Sequence, residues 1–99
     1  MKNAAAKSLQ KISEVLRTDP TDEFTSSDMH IAWLHSVSFH ENSANLIRAI
    51  EFVDSLRVRL DTVRVNSSNA DLMKLYPLHI AIDHALSDLY EFADGLRGG

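Results

Sequence analysis

The sequence predicts an all-α fold, a small three- or four-helix bundle organised on a long antiparallel helical hairpin. Two apolar stripes and the placement of the helix breakers carry that expectation. Leu75, Leu78, Ile82, Ala85, Leu89, Phe92 and Leu96 recur at alternating spacings of three and four residues. Leu46, Ala49, Val53, Leu56, Leu60 and Val63 do the same upstream. Such spacing lines each set along one face of a helix, and each face then needs a partner. Pro20 and Pro77 bracket a long stretch free of glycine and proline, and Gly95, Gly98 and Gly99 all sit at the end of the chain. Helix interiors exclude both residue types, whereas a two-layer β fold needs them at its turns.

The first helix is expected over about residues 4–17, with Asn3 as N-cap and Leu9, Ile12 and Leu16 buried on one face. It stops at Thr18-Asp19-Pro20, because the residue before a proline is pushed out of the α region. Thr21 to Ser27 reads as a polar, acidic loop in which Phe24 can dock as an anchor. Ser27 or Asp28 can cap a second helix, over about 28–40. Its apolar residues Met29, Ile31, Ala32, Trp33, Leu34, Val37 and Phe39 point nearly all round the cylinder. A helix of that kind has to be covered on more than one side.

Two readings compete for His40-Glu41-Asn42-Ser43. The helix continues unbroken to Val65, or Asn42 or Ser43 caps a new one. The change from an all-round apolar segment to a strict stripe favours the break. The third helix, 43–65, carries Arg48–Glu51, Asp54–Arg57, Arg57–Asp61 and Asp61–Arg64 at helical neighbour spacing. Each such pair adds only about 0.2–0.5 kcal/mol, so together they mark a solvated face. Asn66-Ser67-Ser68-Asn69 is the clearest turn. The last helix is expected over 70–94, kinked or restarted at Pro77 and ended by Gly95, with a flexible tail beyond. The short turn makes the two striped helices antiparallel neighbours.

Ninety-nine residues make one domain, 1–99, with one core. A hydrophobic content of 44% is too high for a disordered chain. The formal charge of −4 argues against sequence-independent nucleic-acid binding, which needs a basic face. The charge is also segregated. Residues 1–17 carry Lys2, Lys7, Lys11 and Arg17 against Glu14, while 18–45 carry Asp19, Asp22, Glu23, Asp28 and Glu41 with no Lys or Arg. Solvated helix ends and loops account for this; an acidic docking surface for a basic partner is the functional alternative. No cysteine is present, which excludes disulfides, thiolate metal sites and cysteine nucleophiles and fits a reducing compartment. No apolar run approaches a membrane span, and the basic N-terminus lacks a hydrophobic segment behind it. A cytoplasmic protein without a membrane partner is expected.

The histidines are the one enzymatic hint. His30, His35 and His40 are spaced by five, as are His79 and His84, so neighbours point to different faces of a helix. None is preceded at three residues by the glutamate that a carboxylate-bridged metal bundle uses. His79 with Asp83, and His84 with Asp88, do share a face. A histidine phosphotransfer domain is a helical bundle of similar size, but no histidine here has the following lysine and glycine of that family. No Gly-x-Ser-x-Gly elbow and no phosphate-cradling glycine loop occurs. No catalytic residue, cofactor or metal is therefore expected.

Leu96-Arg97-Gly98-Gly99 matches the tail of ubiquitin, yet that tail follows a β-grasp domain and no strand pattern exists here. Tyr90-x-x-x-Asp94, near the end of a helical hairpin, resembles the tail signal of small proteins exported by the ESX (type VII) route. That family's Trp-x-Gly turn is replaced here by Asn66 to Asn69. The resemblance implies a secreted helical-hairpin protein.

Trp33, Phe39 and Phe92 lie on apolar stripes and are expected in the core. Trp33 also belongs with Met29, Ile47, Ile50, Met73, Tyr76 and Ile80, apolar residues left over once the hairpin stripes bury one another, although they could equally receive the first two helices. The first helix offers only Leu9, Ile12, Val15 and Leu16 to cover them. Such a surplus is what a dimer or partner surface looks like. The sequence thus points to a small non-enzymatic regulatory or adaptor protein that binds another protein and forms a homodimer. A metal-binding bundle or small helical enzyme is the rival class.

Overall fold

The computed structural model describes residues 2–18 and 23–98, which form four helices: α1 (Lys2–Arg17), α2 (Ser26–Ser38), α3 (Ser43–Val65) and α4 (Asn69–Gly98). No strand occurs among the described residues. The fold is the expected all-α bundle. Pro20 and the loop residues Asp19, Thr21 and Asp22 lie outside the described residues.

The start of each helix has a local cause. Thr25, not Ser27 or Asp28, caps α2: its hydroxyl accepts from the Asp28 amide, and the Asp28 carboxylate accepts from the Thr25 amide at 2.9 Å. This reciprocal box satisfies two backbone donors that the first turn leaves free. Asn42 caps α3 by accepting from the Asn45 amide at 2.8 Å, so the chain breaks at 39–42 as the loss of all-round apolarity implied. Ser68 Oγ accepts from the Asp71 amide at 3.3 Å where α4 begins.

Three expected boundaries differ. α1 starts at Lys2, so Asn3 lies inside its first turn and is not the cap. α4 runs through Pro77 without a restart. Pro77 cannot donate to the Met73 carbonyl, but both residues are solvent-exposed, so water can replace the missing donor. Gly95 does not end the helix, and the segment after it is helical to Gly98. Glycine permits a left-handed stop without imposing one. Leu96 and Arg97 are good helix formers, and no proline follows.

Contacts between helices fix their order. Asp28 meets Arg59 and His35 meets Phe52, so residue numbers rise on α2 as they fall on α3. Ser13 donates to the Met29 carbonyl between α1 and α2, Ser8 to the Asp88 carboxylate between α1 and α4, and Arg64 reaches His79 between α3 and α4. Each helix packs on two neighbours in a ring, with α1 opposite α3 and α2 opposite α4. This is an up-down-up-down bundle. Its core holds Leu9, Ile12, Val53, Leu56, Leu60, Leu75, Leu78, Ile82 and Leu89. Phe39, fully buried, closes one end by meeting Phe92 edge-to-face at 5.2 Å.

The helices differ in length, and this shapes the surface. The molecule measures 45 × 22 × 18 Å, and α4, with 30 residues, spans that long axis at about 1.5 Å per residue. α1 has 16 residues and α2 has 13. Ser8 is level with Asp88, so the antiparallel register brings the end of α1 level with about His79. The tip of the α3–α4 hairpin therefore projects past α1 and α2. Val65, Met73 and Tyr76 are exposed there. No described helix is long and apolar enough to cross a membrane.

Candidate functional site

α2 is built inside out. Asp28, Ala32 and Ser36, spaced by four, are its buried residues. Ile31, Trp33, Leu34 and Val37 face solvent, with Trp33 50% exposed. The inner face is small so that α1 can come close. Ser13, a short side chain, reaches the Met29 main-chain carbonyl at 3.0 Å, a contact that requires closely spaced helix axes. Trp33 and Val37 stand one turn apart, Ile31 and Leu34 beside them, and His30 is exposed among them. The all-round apolar pattern is thus covered on one side only. Trp33 is not in the core, because the buried face of α2 is given to Asp28, Ala32 and Ser36.

Met73, Tyr76 and Ile80 gather on the first half of α4. Tyr76, 62% exposed, stands between two surface grooves. One, of about 410 Å³, lies against α3 and is lined by Arg64, Leu72, Met73, Leu75, Tyr76 and His79. The other, of about 610 Å³, lies against α1, with Tyr76, Pro77, Ile80 and Ala81 as apolar lining and Lys7, Lys11 and His84 around them. Ile47 is exposed on α3, and Ile50 is half-buried against the core. Neither lines a groove. The six candidate interface residues therefore fall in three places: Trp33 on α2, Ile47 and Ile50 on α3, and Met73, Tyr76 and Ile80 together on α4. Ile31, Leu34 and Val37 join Trp33 on the surface; their signal in the sequence was the all-round apolarity of α2.

Several charged groups form exposed pairs. Lys11 and Glu14 approach to 3.8 Å, Asp54 and Arg57 to 3.7 Å, and Asp61 and Arg64 to 3.8 Å. Arg64 Nη1 lies 3.4 Å from His79 Nδ1, whose Nε2 lies 3.3 Å from the Asp83 carboxylate. The expected His79–Asp83 pair therefore forms. Asp88 instead accepts from Ser8.

Asp28 is the exception, being buried. The Arg59 guanidinium, followed by the hydrogen bonds from Thr25, holds its carboxyl below the usual carboxylate range despite burial. Arg59 also donates to the Glu23 carbonyl at 2.8 Å and lies over the Phe24 ring at 5.0 Å, so the expected anchor is a buried Phe24 capped by a cation. His35 is half-buried beside Phe52. That burial, with the Arg48 charge second, pushes its pKa down.

Among the described residues no three His, Asp or Glu side chains converge as a metal centre would require. Tyr90 is exposed on α4 one turn before Asp94. No protein-family model, no curated protein and no solved structure matches the chain.

Proposed function

We propose that the chain is a small non-enzymatic regulatory or adaptor protein that works by binding other proteins, and that it forms a homodimer. The observation that supports this reading is the inverted α2. A helix that spends its inner face on Asp28, Ala32 and Ser36 and turns Ile31, Trp33, Leu34 and Val37 to water exposes what a folded monomer ordinarily buries. A two-fold dimer covers that face with the same face of a second copy, helix against helix. Tryptophan in the patch suits an interface, where large aromatic side chains carry much of the binding energy. The cysteine-free composition is in keeping with action in the cytoplasm.

Light scattering at micromolar concentration should give about twice the chain mass of 11.1 kDa for the wild type. Trp33→Glu should give a folded monomer, because the position is exposed and its loss leaves the core intact. A monomeric wild type would overturn the dimer, and a dimeric Trp33→Glu would move the interface off α2.

A further inference from the structure

α4 sits diagonally across the ring from α2, so the grooves beside Tyr76 stay open when α2 faces are joined. Resting on the protein-binding reading above, we propose that this double groove docks an acidic amphipathic helix of a partner protein. Shape is the first support. From Leu72 to His84 the two grooves follow α4 for about 18 Å, or some three helical turns. That length takes the apolar anchors of a helix spaced at i, i+3 or i+4, and i+7, the usual way an amphipathic helix lies in a groove. Leu72, Met73, Pro77 and Ile80 supply the apolar lining, and Tyr76 offers a flat ring with a wet hydroxyl.

Charge sets the partner's sign. Arg64 and His79 stand at one groove, and Lys7, Lys11 and His84 at the other, and among the described residues no aspartate or glutamate lines either. Acids close by are mostly engaged: Glu14 faces Lys11, Asp61 faces Arg64, Asp83 faces His79, and Asp88 accepts from Ser8, while Asp71 is exposed beside Leu72 at the end of the smaller groove. Those exposed pairs are worth at most about 1 kcal/mol each, so a partner carboxylate can exchange into them. The chain as a whole carries −4, whereas 1–17, which supplies one wall of the larger groove, carries four of the ten Lys and Arg residues against the single acid Glu14. An acidic helix is thereby repelled from most of the surface and drawn to this one.

The test is selection of random peptides of about 14 residues, long enough for three turns, against the full-length protein. Selected peptides should carry apolar residues at helical spacing with a surplus of Asp and Glu. Their binding should weaken with salt and fall about tenfold or more when Lys7→Glu and Lys11→Glu are combined. Both lysines are exposed, so circular dichroism should report an unchanged fold. Tyr76→Ala should weaken binding as well, and Trp33→Glu should not. Selection without acidic bias, indifference to the charge reversal, or failure to select any binder would overturn the proposal. So would amide shifts at the groove that follow protein concentration without peptide, since these would make a second copy the occupant. A wild-type dimer that selects no acidic peptide removes this site and leaves the α2 interface. A monomer that selects one at Tyr76 does the reverse.

Discussion

Arg59 on α3 grips Asp28 on α2 at two points, Nη1 to Oδ1 at 2.9 Å and Nη2 to Oδ2 at 3.0 Å. The same carboxylate closes the capping box of α2 through the Thr25 amide. One residue thus starts the helix and fastens it to the neighbouring hairpin, while Arg59 covers Phe24. α2 and α3 share the least packing of the neighbouring helix pairs, so this polar joint is a large part of what holds them together.

Asp28→Ala should cost about 1–3 kcal/mol in urea melts, since it removes a cap and leaves Arg59 without its partner. Arg59→Lys should also destabilise, because an ammonium cannot reproduce the two parallel hydrogen bonds. Wild-type stability in both variants would mean that the joint contributes nothing.

Stability should fall in acid in two windows. The Asp28 carboxyl is held below its ordinary value of 3.8, so near that pH the unfolded chain takes up the proton first. Its contribution is full above that value and is lost as pH drops through the folded value. His35 is pushed below its ordinary 6.5 by burial and then by Arg48, so below that pH the unfolded chain again binds more protons. Stability therefore declines as pH falls beneath about 6.5. Urea melts across pH should show the upper decline in the wild type and a reduced one in His35→Gln.

Leu56 and Leu89 are fully buried on the facing stripes of α3 and α4. Replacing either with alanine should cost about 2–5 kcal/mol, whereas Arg57→Ala, at an exposed position, should stay within about 0.5 kcal/mol. Denaturant midpoints that matched for all three would contradict the stripe assignment.

Ala32 is fully buried on the inner face of α2. Ala32→Leu should cost about 1–3 kcal/mol by pushing α1 away, although leucine is the better buried residue in general. A neutral or stabilising result in thermal melts would mean that the helices do not need to approach closely there.

The striped helices were legible because a 3.6-residue repeat and a polar turn leave one arrangement open. α3 has the expected bounds, and the break before it follows from Asn42. α2 was legible as a helix but not in orientation. Its apolar residues run nearly all round, and what selects the inner face is the close approach of α1, seen in the Ser13 bond to the Met29 carbonyl, a tertiary property. Trp33 went to the surface for that reason. The Asp28–Arg59 joint spans two helices with no local spacing to announce it, although the Thr25–Asp28 box lay in plain view. Met73, Tyr76 and Ile80 were legible as surplus, but the grooves around them depend on Lys7 and Lys11 of α1 and Arg64 of α3 coming alongside α4, a tertiary property.

Trp33 is the one tryptophan in the chain and sits half-exposed in the α2 patch, so its fluorescence reads the proposed interface directly. If α2 faces are joined in a dimer, emission should be shifted to the blue and protected from a soluble quencher at high micromolar concentration. On dilution it should move to the red and become quenchable, in step with the fall in mass. Emission and quenching that stay the same across the whole range, with the mass of a single chain, would contradict an interface on α2.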